Sequence, residues 1–191
     1  MNFIEDRTYE KVNFQNEPIQ VGEYDRCIFD YCDFSNCDLS GFIFSECEFL
    51  DCNLSMATLT QTAFRDVFFK DCKMLGLQFD VCNQFGLSFT FENCMLNHAS
   101  FFKLKIKQTT FRNTQLHEAD FTECDLSGSI FDNCDLAGAV FDISNIEKTD
   151  FNSSINYSID PERNQIKKAR FSAQGIAGLL DKYDIIIEDR T

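Results

Sequence analysis

The feature that most constrains this chain is a period of five residues. From Phe14, every fifth residue reads Phe14, Ile19, Tyr24, Phe29, Phe34, Leu39 and so on to Phe89, with Gln84 the single polar member. The frame then slips by two residues and runs from Leu96 to Phe151 through twelve apolar positions. With 44% of residues apolar, 27 hits in 28 places has a random likelihood on the order of 10⁻⁹, so period five displaces the helical 3.6 and the strand 2.0 readings.

Two residues before each central residue the side chain is small at 23 of 28 places, and all ten cysteines fall there. Asp, Glu or Asn is frequent just before the centre, as in Cys37-Asp38-Leu39-Ser40-Gly41 and Cys124-Asp125-Leu126-Ser127-Gly128. Two residues of each quintet therefore point inward and three outward.

These quintets resemble the pentapeptide-repeat family over roughly Val12 to Ser158. The resemblance implies an all-β fold, a right-handed quadrilateral β-helix with one quintet per side and twenty residues per coil. Composition supports that geometry, because stacked columns in a packed solenoid should alternate large with small. Phe42 lies between Gly22 and Thr62, Leu77 between Ala57 and Ala99, and Leu104 between Cys82 and Cys124. Twenty-eight quintets make seven coils, roughly 34 Å long at a strand spacing of ~4.8 Å, with a filled interior. The slip near Asn83-Gln84-Phe85-Gly86 reads either as one two-residue bulge, or as two single bulges that put Phe85 and Phe91 inside instead of Gln84 and Phe89. The first is preferred because it keeps Cys82 in register.

The expected organisation is a solenoid with its N-terminal cap over residues 1–159 and a capping or dimerisation segment over 160–191. In that segment Ser172 is a plausible N-cap, and Ile176, Leu179, Leu180 and Tyr183 follow the spacing of a short amphipathic helix, weakened by Gly175 and Gly178. Asp184-Ile185-Ile186-Ile187-Glu188 reads as a closing strand. The segment resembles the C-terminal part of the quinolone-resistance (Qnr-type) and microcin-immunity branches of the family, through Asp160-Pro161, Leu179-Leu180 and the Ile-rich end.

Stacked cysteines such as Cys32, Cys52, Cys72 and Cys94 sit at the rung spacing, too far apart for disulfides, and a straight ladder cannot surround a tetrahedral ion. They read as buried thiols acting as small hydrophobes, which suits a reducing, cytoplasmic compartment. His98 and His117 fall at outward positions of different coils, and neither a phosphate loop nor a nucleophile-base set occurs. The expectation is a protein without enzymatic activity, metal or cofactor. No apolar run approaches a membrane span, and the start has no signal-like stretch.

Charge is the remaining signal: 31 Asp and Glu against 17 Lys and Arg give −14, and residues 160–191 are balanced, so the solenoid carries all of it. Direct nucleic-acid binding is disfavoured. Spread over about 34 Å, the net charge is one per ~2.4 Å, against one per ~1.7 Å for duplex DNA. Gyrase-interacting members of the family are thought to imitate DNA, commonly as tail-to-tail dimers. The resemblance thus implies a DNA mimic that binds DNA gyrase or topoisomerase IV. Glu118, Asp120, Glu123, Asp125, Asp132, Asp135 and Asp142 are the expected contacts, and Ile176, Leu179, Leu180 and Tyr183 the expected homodimer residues. The alternative is a scaffold for another protein, its charge serving only solubility.

Overall fold

The computed structural model describes residues 2–187 of the chain. It is a parallel β-solenoid of about seven turns in which residues twenty apart stack. Four strands form one sheet: β1 (Asn2–Glu5), β3 (Gly22–Asp25), β5 (Ile43–Ser45) and β7 (Ala63–Arg65). Seven form the next: β2 (Thr8–Glu10), β4 (Ile28–Asp30), β6 (Glu48–Leu50), β8 (Val67–Lys70), β9 (Phe89–Glu92), β10 (Thr110–Arg112) and β11 (Ile130–Asp132). These sheets mark the first and second sides of the rod, and single bridges continue the first through Lys105, Asp125, Asn145 and Gln165. The third side is a column of bridges from Asn13 through Asp33 and Asn53 to Asp135. The fourth runs through Gln78, Ser100, Asp120 and Val140.

Each corner is made two residues after the centre, where the backbone turns left-handed: Arg26, Glu46, Asn93, Glu118 and Gly128 have φ of 49°, 51°, 55°, 54° and 74°. The Asp or Asn before the centre closes the same turn. Its side-chain oxygen accepts the N–H two residues on, at 2.9 Å from Ser40 to Asp38 and from Thr122 to Asp120, an Asx turn repeated coil after coil.

The core is a set of aromatic stacks. Tyr9, Phe29, Phe49, Phe69, Phe91, Phe111, Phe131, Phe151 and Phe171 lie ring on ring down the second side, with centroids 4.7 to 5.4 Å apart. Dispersion and offset stacking thus add to burial at every rung. Phe42, Leu77 and Leu104 are buried between small residues, as the alternation requires.

The small position also has a polar task. Thr62 and Ser144 hydroxyls donate to the Leu39 and Phe121 carbonyls at 2.7 Å, and Cys72 Sγ donates to the Phe49 and Lys70 carbonyls at 3.2 and 3.3 Å. Nine cysteines are buried, while Cys37 is half-buried. Burial pushes the Cys47, Cys82 and Cys134 thiols up to about 12. The regular stacking of one rung per coil is interrupted at residues 83–88.

That place corrects the expected slip. Phe91, not Phe89, takes the central column against Phe69. Phe89 occupies the small position between Val67 and Thr109, and both phenylalanines are buried. Gln84 and Phe85 loop outward, because the interior offers a buried amide no partner, and Leu87 packs on the core instead. Cys82 keeps its register. Two extra residues thus form a bulge over 83–88 on the first side.

The tail also differs from expectation. The ladder runs past residue 160 through Asn145↔Gln165 and Asp150↔Arg170. In place of an α-helix there are 3₁₀ turns at Gly175–Leu179 and Asp181–Tyr183, although Ser172 Oγ does accept the Gly175 N–H at 2.9 Å. The glycines are there for close approach: a Cβ at Gly175 or Gly178 would sit 2.0 Å from the Tyr157 hydroxyl or carbonyl oxygen. Residues 184–187 form no strand, and Glu188 lies outside the described residues.

Candidate functional site: the charged sides of the rod

The shaft interior is filled by side chains. An open depression of about 730 Å³ lies at the N-terminal end against Ile4, Tyr9, Phe14, Ile19 and Tyr24. Among the described residues no three metal-ligating side chains converge. What the structure organises chemically is charge, by side.

Period twenty distributes the expected contact residues over all four sides. Asp125 lies on the first, Asp132 on the second, Asp135 on the third, and Asp120 and Asp142 on the fourth, with Glu118 at the third-to-fourth corner and Glu123 at the far corner of the fourth side. Most have partners within the chain. Glu118 meets His98 Nδ1 at 3.3 Å, Glu123 meets Lys103 at 3.4 Å, Asp132 meets Arg112 at 3.3 Å and Asp142 meets Arg163. Each pair joins adjacent coils, and such exposed pairs are worth only about 0.2–1 kcal/mol.

Asp125 and Asp135 are bound more closely. Burial raises both carboxyls, but the Ser127 hydroxyl and N–H with Lys107 at 3.1 Å outweigh it at Asp125. Asn156 and His117, the latter at 2.9 Å, do so at Asp135. Both titrate below the ordinary carboxylate range. These two and Asp120 therefore serve the fold as turn acceptors as well as carrying charge.

The fourth side is the most one-sided surface. Asp38, Asp80, Asp120, Glu123 and Asp142 share it with Lys103 alone over five coil steps, about 24 Å at strand spacing. Asp160 and Glu162 follow in the tail, clamped by Lys182 at 2.8 and 2.7 Å. Sequence reasoning grouped acids along the chain and so missed Asp38 and Asp80; sorting outward positions by period twenty would have placed them.

The expected dimer residues do not form one stripe. Leu179 packs on the core of its own chain, Leu180 is half-buried, and Ile176 and Tyr183 are exposed, with the Tyr183 hydroxyl 3.2 Å from Glu162.

The family model for pentapeptide repeats matches residues 27–74, 90–128 and 119–155, in eight copies. The chain belongs to the pentapeptide-repeat family. No curated protein matches it by sequence. Among solved structures, two trypsin-treated forms of QnrB1, a plasmid-mediated fluoroquinolone resistance protein, match with TM-scores of 0.64 and 0.63 at 18% and 17% identity. Both matches cover 98% of this pentapeptide-repeat protein, and 100% and 99% of the other chain. Full-length QnrB1 matches at 0.53 and 18% identity over 96% and 100% of the two chains. At such identity the shared property is the fold.

Proposed function

We propose that this pentapeptide-repeat protein is a non-enzymatic binding rod whose acidic fourth side occupies a basic, nucleic-acid-binding surface of a type II topoisomerase, DNA gyrase or topoisomerase IV, in place of DNA. The observation that carries the reading is the segregation of charge on that side. The end-to-end likeness to the QnrB1 fold supports it. Carboxylates repeated at multiples of the coil spacing present a regular line of negative charge to a groove that binds a polyphosphate. Such docking is steered by charge and weakens steeply with salt. A protein seated there changes how the enzyme meets DNA, and with it the action of a quinolone or a toxin.

The tail serves this reading as a cap. Leu179 covers the last coil, and Lys182 pins the segment to Asp160 and Glu162.

The test is gyrase binding and supercoiling at low salt, with and without a quinolone, for the wild type and for Asp38→Asn/Asp120→Asn/Glu123→Gln/Asp142→Asn. Asparagine keeps the Asx turns, so the fold should persist while association falls at least about tenfold. If the wild-type protein neither binds nor alters supercoiling or quinolone action, the topoisomerase reading fails and the scaffold for another protein is what remains.

A further inference from the structure

On the rung of the fourth side centred on Phe141, two outward positions break local rules of the rod. Ile143 stands at the corner with φ of 55°. Left-handed backbone disfavours a side chain branched at Cβ, and among the described residues Ile143 is the only β-branched one with positive φ. Lys103 and Glu123, both unbranched at Cβ, hold the same corner in the two preceding coils. Val140 precedes the centre, where Asp38, Ser100 and Asp120 supply the oxygen that closes the turn; valine supplies none. Both side chains face water, Val140 at 47% exposure and Ile143 at 61%. Neither serves the turn or the core. Carboxylates ring the pair: Asp120 is bridged to Val140 from the preceding coil, Asp142 lies between the two in sequence and is held by Arg163, Glu123 is held by Lys103 at 3.4 Å, and Asp160 by Lys182 at 2.8 Å.

We infer that Val140 and Ile143 are the apolar anchor of the fourth-side contact, and that the partner surface is basic with an apolar socket that takes them. The inference rests on the topoisomerase reading and adds what charge alone does not supply. Attraction to a basic groove speeds encounter and is shared by any acidic rod. Aliphatic side chains buried inside a polar rim lengthen the lifetime of one particular complex. A strained, solvated isoleucine destabilises the free rod and gains burial only in a complex, which is where local strain of this kind is found. Charge argues against the other occupants. A second copy seated here would bring acidic side onto acidic side, and a nucleic acid or an anionic membrane would meet Asp120 and Asp142.

The experiment is gyrase binding by the full chain across a salt series, for the wild type, Ile143→Asn, Ile143→Leu and Val140→Thr, with thermal unfolding of each. Fluorescent poly-L-lysine serves as a probe of charge, which none of these substitutions alters. Ile143→Asn should melt no lower than the wild type yet bind gyrase at least about tenfold more weakly. The loss should have the same factor at every salt concentration, and poly-L-lysine binding should be unchanged. Leucine keeps the apolar bulk without the branch, so Ile143→Leu should recover the binding that asparagine loses. Val140→Thr, nearly the same shape, should weaken gyrase binding in the same salt-independent way. If the wild type binds gyrase and Ile143→Asn and Val140→Thr bind as tightly, the anchor is refuted while the topoisomerase reading stands. Equal losses toward gyrase and poly-L-lysine would assign the effect to charge and also overturn the anchor. A wild type that does not bind gyrase at low salt overturns both readings together.

Discussion

Replacing Cys72 by serine and by alanine separates two roles for the cysteine column. If the thiols are only small hydrophobes, alanine should be tolerated better, because an unpaired buried hydroxyl is destabilising by about 1–3 kcal/mol. The structure predicts the opposite order. Cys72 is 1% exposed, and its Sγ donates to the Phe49 carbonyl one coil back at 3.2 Å. In the same column Ser154 Oγ makes the equivalent bond to Phe131 at 2.8 Å, so the site accepts a hydroxyl.

Serine should therefore keep the hydrogen bond and lose about 0.5 kcal/mol or less through its smaller volume. Alanine removes the bond, worth about 0.5–1.5 kcal/mol, and leaves a void of similar consequence, for a total of about 1–2.5 kcal/mol. Urea unfolding followed by far-ultraviolet circular dichroism reads the difference as a lower midpoint at unchanged slope. The same pair at Cys52, whose Sγ is 3.2 Å from the Phe29 carbonyl, should repeat the order. An alanine variant as stable as the serine variant at both positions would refute the donor role.

Two further predictions concern stability. Ile143 is an exposed β-branched residue at a left-handed corner, φ 55°, where asparagine is far better suited; Ile143→Asn should raise stability by about 1 kcal/mol, and a lower melting temperature would contradict the strain argument. Burial holds Cys47, Cys82 and Cys134 protonated up to about pH 12, whereas unfolded thiols ionise near about pH 8.5. Because the folded state then binds more protons than the unfolded one, stability should be intact below that value and fall as pH rises toward 12, by up to about 1.4 kcal/mol per unit per thiol. A denaturation midpoint flat across that range would show that the thiols are not shielded.

The period of five was enough to read the coil, the inward pair and the alternation around Phe42, Leu77 and Leu104, because all depend on side-chain volume at fixed spacing. Corner geometry was harder to read, since the left-handed position is filled by Asn113 and Gly128 but also by Lys103, His98 and Ile143. The bulge was ambiguous because Phe89 and Phe91 are both inward once Phe89 enters the small column. The same large-between-small alternation that placed Phe42 would have assigned it. The tail misled for a different reason. Ile176, Leu179, Leu180 and Tyr183 fit a helical stripe locally, but Gly175 and Gly178 answer to Tyr157, a long-range contact that no local pattern carries. Expected contacts such as Glu118 and Asp132 belong to one acidic stretch of the sequence and fall on different sides in space.

The fold itself explains part of the acidity, and that sharpens which acids bear on binding. The position before each centre needs a side-chain oxygen to close its turn, and asparagine supplies it as well as aspartate: Asn13, Asn53 and Asn145 accept the N–H two residues on at 3.0, 3.2 and 3.1 Å. The turn thus requires an oxygen and not a charge. On the third side Asn and Asp alternate at this position, at Asn13, Asp33 and Asn53. On the fourth side Asp38, Ser100, Asp120 and Asp160 close such turns, joined by Asp80, Glu123 and Asp142 at positions that close none. Neutral residues separate these acids within each column, Thr58, Gln78 and Ser100 between Asp38 and Asp120, so they present a spaced line of charge. Glu123 and Asp142 pair with Lys103 and Arg163, so the charges that neither a turn nor an ion pair requires are those of Asp38, Asp80 and Asp120, and these support the proposal of a partner on the fourth side.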